Sequence, residues 1–255
     1  MPLNNNQIKL LANKIINARL DKKPIKALSN DYIFGMEDAY KIQSYIIEKK
    51  LIKHDNIIGW KLGYTSLAMR KQMNIIDPNF GPLLNTMLLK TGSKISSALI
   101  QPKVEPEIAL KFNSTLNGSS SYNQIYSAIS EAYACLEVVD SIFLDYKFKI
   151  QDNTADGSSA AQFVLGPVID KKSLDKTEVI FYKNRKLIDK CNGSAASGHP
   201  INGIIWLLKS LEKIGKTLLP NDIVITGGLT SAIDVRENDH IYADFEKNKR
   251  VELYG

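Results

Sequence analysis

Two glutamates two residues apart in VEPEIAL, Glu105 and Glu107, and a third in LEVVD, Glu137, are the side chains in this sequence best suited to chemistry. In extended backbone, residues i and i+2 point to one face. Glu105 and Glu107 therefore converge across Pro106, while Val104, Ile108 and Leu110 face the other way. Glu137 can complete an all-oxygen set for a hard divalent cation, Mg²⁺ or Mn²⁺. The same alternation also describes an edge strand whose carboxylates meet solvent, with Pro106 blocking further pairing. Spacing alone leaves both readings open.

Lys61 stands in GWKLGYTS between Gly59 and Gly63, which permit a close backbone approach to a ligand. Its ammonium can pair with a substrate carboxylate or relay a proton, or it can be an ordinary solvated lysine. The run QDNTADGSSAAQFVLG gathers Asp152, Asp156, Ser158 and Ser159 before an apolar segment. Such a loop offers hydroxyls and N–H groups to an anion, though any turn uses the same residues. His199, between Gly198 and Pro200, is a general base or a hydrogen-bonded turn residue. In TGGLT, Thr226, Gly227 and Gly228 allow a ligand near the backbone, or form a plain glycine turn. No P-loop, dinucleotide fingerprint or nucleophile elbow is present in the sequence.

These residues need elements to position them. The run 4–20 reads as a capped helix with Ile8, Leu11, Ile15 and Ile16 on one stripe, and a second helix runs from Met36 or Asp38 to Leu51. GWKLGYTS reads as a strand entering a ligand-facing loop, with a short helix following over 67–73 before the DPNFGP turn. Beyond residue 86, strands are expected at Glu105–Phe112, Cys135–Asp140, Gln162–Leu165, Val179–Tyr182 and Ile223–Thr226, interrupted by helices at Gln124–Ala132 and Asn202–Ile214. The expected organisation is an N-terminal helical region with the lysine loop, 1–85, and a β-rich catalytic part, 86–255.

The 255 residues carry a formal charge of +6, but Lys and Arg are interspersed with acids and form no stripe. Nucleic-acid binding is therefore not expected, whereas a small anionic substrate is. No apolar run approaches membrane-spanning length and the start lacks a signal-peptide pattern, so a cytoplasmic protein without membrane contact is expected. Cys135 and Cys191 lack metal or redox spacing and read as reduced thiols.

Together, GWKLGYTS, PNFG, QPKVEPEIAL, LEVVDS, DYKFKIQDNTADGSS, FVLG, GSAASGHP and ITGG resemble the 2-keto-4-pentenoate hydratase and 4-oxalocrotonate decarboxylase family, within the fumarylacetoacetate hydrolase superfamily. The resemblance spans nearly the whole chain. It implies an α+β fold with a mixed β-roll core and an N-terminal helical region, and homodimers or assemblies of dimers. By position, Glu105, Glu107 and Glu137 resemble the metal ligands, Lys61 the active-site lysine and Ser159 a substrate-facing hydroxyl. Asp140 is expected to support catalysis from behind the ligands, and Asn79, Asp156, Thr226 and Gly227 to bind substrate. The activity implied is that of a hydro-lyase on a 2-oxoalkenoate, adding water through a metal-stabilised dienolate. The alternatives are a carboxy-lyase using the same dienolate, acylpyruvate hydrolysis, or a ligand-binding homologue without turnover. The sequence departs from the family pattern at Asn79, where many hydratases carry Asp, at Ile142, usually Arg, and at Gly157, usually Asn.

Overall fold

A computed structural model describes residues 2–51, 55–67, 70–71 and 75–255. Helix α1 (Asn5–Leu20) starts where the Asn4 side chain accepts from Gln7 N at 3.0 Å and Gln7 Oε1 returns the bond to Asn4 N at 2.9 Å. It buries Ile8, Leu11, Ala12, Ile15 and Ala18, close to the expected stripe. Helix α2 (Met36–Leu51) turns Ala39, Ile42 and Ile46 onto that stripe. Phe34, Ile142, Phe143 and Ala155 close this N-terminal core. The short helix expected over 67–73 falls largely outside the described residues.

A mixed sheet carries the candidate site. Its strands are β1 (Ile57–Gly63), β2 (Asn79–Leu84), β3 (Leu88–Leu89), β4 (Pro102–Phe112), β5 (Ile129–Asp140), β6 (Ala160–Ile169), β9 (Ile223–Ile225) and β10 (Ile233–Asp234). They run in the order β2-β1-β9-β4-β5-β6-β3, with β10 also beside β4. Thus the first 85 residues supply the helical layer and also two strands of the large sheet. β4 and β5, the longest strands, pair antiparallel in its middle, with β9 and β6 on either side. A smaller sheet, β12-β11-β7-β8, is formed by β7 (Glu178–Lys183), β8 (Lys186–Asn192), β11 (His240–Phe245) and β12 (Lys249–Tyr254). The main core includes Ile108, Leu110 and Leu136 of the large sheet and Phe181, Phe245, Val251 and Leu253 of the small one. Further α-helices among the described residues are α3 (Tyr122–Ala128), α4 (Ile150–Ala155) and α5 (Pro200–Glu212). α5 adds Leu207, Leu208 and Leu211 to the main core.

One expected helix is half strand. The segment Gln124–Ala132 has helical spacing at Ile125, Ala128 and Ile129, but the helix ends at Ala128 and β5 begins at Ile129. From there Glu131 faces Lys111 and Ala132 faces Leu110, so pairing with β4 overrides the local helical pattern. The second sheet is larger than the one strand expected in that region. β11 and β12 alternate in sequence, with Ile241, Ala243, Phe245, Val251 and Leu253 buried.

β1 lies parallel to β9, with Gly59 opposite Ile223 and Lys61 opposite Ile225. Gly59 has φ +154, and a Cβ there would stand 1.8 Å from the Ile223 carbonyl oxygen. No side chain fits this approach. Gly59→Ala should cost about 2–3 kcal/mol, read from denaturant unfolding, because β1 must pull away from β9. An unchanged midpoint would show that the two backbones do not meet this closely.

Candidate metal centre and active-site cleft

The register of β4 against β5 assembles the acidic cluster. Glu105 lies directly opposite Glu137, and Glu107 opposite Cys135, so the three glutamates share one sheet face. One carboxylate oxygen from each lies within 4.8 Å of those of the other two. Val104, Ile108 and Leu110 point into the main core instead. These strands are central, so the edge-strand reading of the Glu-x-Glu pair does not describe this structure. Glu107 and Glu137 are fully buried, and Glu105 is partly open to the cleft.

Burial and mutual repulsion push Glu105 up to about 7 and Glu107 well above the usual carboxylate range. Lys61 supplies the compensating charge. Its Nζ stands 3.0 Å from Glu137 Oε2 and donates to the Ser158 carbonyl at 3.1 Å. Burial alone would lower the ammonium's pKa, but Glu137, Glu107 and Glu105 outweigh it and hold the pKa above the ordinary lysine value. Gly227 N donates to Glu107 Oε2 at 2.6 Å. Glu107 Oε1 and Glu137 Oε1 have no hydrogen-bond donor among the described residues. Unpaired buried carboxylate oxygens are costly, and a divalent cation coordinated by all three glutamates would remove that cost.

A cleft of about 300 Å³ opens over the cluster, lined by Lys61, Tyr64, Thr65, Glu105, Ser158 and Ser159, and also by Lys103, Tyr146, Phe148 and Asn153. Thr65 Oγ1 is buried there without a partner among the described residues. Ser159 Oγ accepts from Asn153 Nδ2 at 2.8 Å, leaving its own proton to give. Lys103 precedes Glu105 by two residues on the same strand face, so the alternation that aligns the acids also brings this cation to the cleft. Its Nζ lies 3.1 Å from Asp234, the residue paired with it across β10, and 4.8 Å from the centre of the Tyr146 ring.

Other expected site residues stand behind the cleft and do not line it. Asn79 is fully buried, donating to Asn153 Oδ1 and Thr154 Oγ1 at 2.9 Å each and accepting from Ser158 Oγ at 2.9 Å. Asp140, three residues past Glu137, turns to the opposite face. It accepts from the backbone N–H groups of Ile100 and Gln101 and pairs with Arg19 at 3.1 Å. Asp156 pairs with Arg19 at 2.8 Å and accepts from Ile142 N at 3.3 Å. Thr226 Oγ1 donates to the Ile108 carbonyl at 3.0 Å, anchoring the strand end from which Gly227 reaches Glu107. His199 caps α5, its Nδ1 accepting from Ile201 N at 3.2 Å, which is the structural alternative.

No family model matches the chain. It is 30% identical to 4-oxalocrotonate decarboxylase of Pseudomonas sp. strain CF600, over 96% of this chain and 95% of that one. It is 34% identical to 2-hydroxypent-2,4-dienoate hydratase of Pseudomonas putida, over 80% and 96% respectively. The solved structure of 4-oxalocrotonate decarboxylase from Pseudomonas putida G7 in complex with magnesium and adipate superposes with a TM-score of 0.94 at 29% identity, covering 99% of this chain and 98% of that one. A Yersinia pestis protein of the fumarylacetoacetate hydrolase family shares the fold alone, with a TM-score of 0.57 at 15% identity over 76% and 91% of the two chains. The architecture is thus the α+β fold expected of that superfamily, and no described helix is long and apolar enough to cross a membrane. By this extent of similarity to a decarboxylase and a hydratase alike, the chain is a member of the 2-keto-4-pentenoate hydratase and 4-oxalocrotonate decarboxylase family.

Proposed function

We propose that this chain is a metal-dependent lyase acting on a small 2-oxoalkenoate, with Glu105, Glu107 and Glu137 holding Mg²⁺. The observation that carries this reading is the buried triad, with carboxylate oxygens left without donors, at a cleft that also contains a buried ammonium. An all-carboxylate set fits Mg²⁺ or Mn²⁺ better than a softer metal, and the family's solved relative was obtained with magnesium. When bound, the cation supplies Lewis-acid stabilisation of the negative charge that develops on an α-keto acid.

The chain's own groups do the rest. Lys61 forms an ion pair with Glu137 and donates to the Ser158 carbonyl, and its ammonium has N–H capacity left for a substrate oxygen. Thr65 Oγ1 and Ser159 Oγ offer hydroxyl protons on the cleft wall. Tyr146 keeps its ring in the cleft because its hydroxyl is spent on the Gln101 and Val139 carbonyls at 2.8 and 3.2 Å. That ring and Phe148 give a conjugated chain an apolar wall. Asp140 and Asp156 act from behind, through Arg19.

The hydro-lyase is the first reading, supported by the hydratase relatives. The carboxy-lyase is favoured by Lys103, a second cation lining the cleft, suited to the far carboxylate of a dicarboxylic substrate. Homodimers or assemblies of dimers, as in the family resemblance, are part of the same proposal.

Glu107→Gln should abolish the rise in melting temperature that Mg²⁺ gives the wild type. Without metal the variant should melt no lower, because an amide of the same shape replaces a carboxyl that burial and its neighbours disfavour as a charge, and its oxygen still accepts from Gly227. A Mg²⁺ response like that of wild type would remove Glu107 from the ligand set. Oxalate should inhibit in competition with substrate, and insensitivity to it would count against chelation of an α-keto acid. Offering 2-hydroxypenta-2,4-dienoate and 2-oxohex-3-enedioate in an ultraviolet assay with carbon dioxide analysis separates the two lyases. Lys103→Met should raise KM for the dicarboxylate at least tenfold more than for the monocarboxylate, roughly the worth of one charged hydrogen bond. Equal effects on both would take Lys103 out of substrate recognition.

A further inference from the structure

We infer that Arg19, in the last turn of α1, is a positioning residue that ties the Ser158 segment to the end of β5 and so holds the Ser158 carbonyl on Lys61 from behind the cleft. This rests on the proposal that Lys61 is the working cation of the site. Lys61 is held between Glu137 Oε2 at 3.0 Å and the Ser158 carbonyl at 3.1 Å, and neither group touches Arg19. Arg19 instead grips the backbone on which each of them rides. Its Nη1 reaches Asp140 Oδ2 at 3.1 Å and its Nη2 reaches the Asp140 carbonyl at 2.8 Å, at the end of β5 and three residues past Glu137. The same Nη2 reaches Asp156 Oδ1 at 2.8 Å, two residues before Ser158.

The Ser158 segment needs such a restraint. Gly157, Ser158 and Ser159 adopt successive positive φ values of 69, 57 and 55°. Glycine takes this conformation freely, but two serines in a row do so only where surrounding bonds impose it. Asp156 is the anchor at the upstream end, and downstream the chain enters β6, where Ala160 pairs with Val139. Without Arg19 the buried carboxylates of Asp140 and Asp156 would lose the guanidinium bonded to both, and Lys50, which borders the same cavity, has no hydrogen bond to either among the described residues. The loop would relax and take the Ser158 carbonyl off Lys61. A lysine cannot replace this grip, since a planar fork is needed to reach three oxygens on two chain segments.

Ile142, the residue that follows LEVVDS, contributes no charge here. It is buried in the N-terminal core and offers only its N–H to Asp156. The cation at this end of β5 therefore comes from α1. Arg19, Asp156 and Gly157 also border a cavity of about 240 Å³ between the N-terminal helices and the loop, so a small cation can reach the vacated position when the side chain is shortened.

The test uses the Mg²⁺-loaded full chain as wild type, Arg19→Ala and Arg19→Lys, read by amide hydrogen exchange over 157–160, Mg²⁺ affinity and turnover. In Arg19→Ala, exchange of these amides should rise about tenfold or more. kcat should fall by about a hundredfold, as for a catalytic group displaced by an ångström, with Mg²⁺ affinity held within about threefold because the glutamates stay in place. Millimolar methylguanidinium should restore turnover and slow exchange in Arg19→Ala but not in Arg19→Lys, whose side chain still fills the position. Wild-type exchange and kcat in Arg19→Ala would overturn the inference, as would a loss in the folded variant that methylguanidinium does not repair. Should Arg19→Ala fail to fold, Arg19→Lys decides alone: loosened loop amides and reduced kcat support the clamp, and wild-type values overturn it. If no 2-oxo acid is turned over even by wild type, the lyase proposal falls, while the exchange rates still decide whether Arg19 holds the loop.

Discussion

Three carboxylates on one buried strand face repel one another, and a single ammonium leaves that repulsion only partly balanced. Such a cluster does not form by its own attraction. It has to be imposed by backbone that cannot yield, and the pairing of β4 with β5 does so, because Glu105 and Glu137 occupy directly opposed positions in an uninterrupted stretch of register from Pro102 to Lys111. Flanking strands on both sides and the apolar residues beneath make sliding expensive, since a shift by one residue would turn Val104 and Ile108 toward the cluster and the glutamates into the core. That electrostatic cost is what a doubly charged cation held by the three glutamates would relieve.

The same constraint explains why the surroundings are so heavily tied down. Lys61 must arrive on the cluster as a charged group, and it does so from β1, which packs parallel to β9 only because Gly59 has no side chain. Gly227 must bring its N–H to Glu107, and a Cβ at that position would stand 2.0 Å from Thr65 Oγ1. Closeness here comes from glycine on both sides of the cluster, and the strain in the Ser158 segment is the third instance of the backbone bending toward the charges.

The convergence of Glu105 and Glu107 was legible in the sequence because strand alternation is a short-range rule, whereas spacing left their role open, and it was the family resemblance that joined Glu137, Lys61 and Ser159 to them as one candidate set. What could not be read was anything depending on how separate segments meet. Asn79, Asp156 and Thr226 have the polar character of ligand-binding residues, yet each is consumed by a contact with chain more than ten residues away or by Arg19. Arg19 itself looks in sequence like an ordinary basic residue ending a helix, where the dipole favours one. Its aspartate partners lie more than a hundred residues further on. In the fold, the helices and central strands followed from periodicity, whereas the start of β5 did not, because Ile129 satisfies a helical and an alternating pattern equally until β4 is placed beside it.

The departures at positions 79, 142 and 157 bear on whether the site is intact or decayed. Asn79 uses both ends of its amide: the nitrogen donates to Asn153 and Thr154, and the oxygen accepts from Ser158. An aspartate in this pose would set its oxygen against Asn153 Oδ1, so the asparagine is matched to its neighbours and is no gap in the network. Gly157 sits at φ +69, which glycine adopts more cheaply than the asparagine usual there. Ile142 fills the N-terminal core while Arg19 delivers the charge. Each replacement is accommodated by local packing and hydrogen bonding, and a chain that had merely lost its function would have no reason to retain buried carboxylates without donors. What Asn79 does remove is a carboxylate able to take up a proton. Under the proposed function, proton handling in the cleft would fall to Lys61 and the hydroxyls of Thr65 and Ser159, which would weigh on a hydration step more heavily than on loss of carbon dioxide, since the latter needs an electron sink before it needs a base.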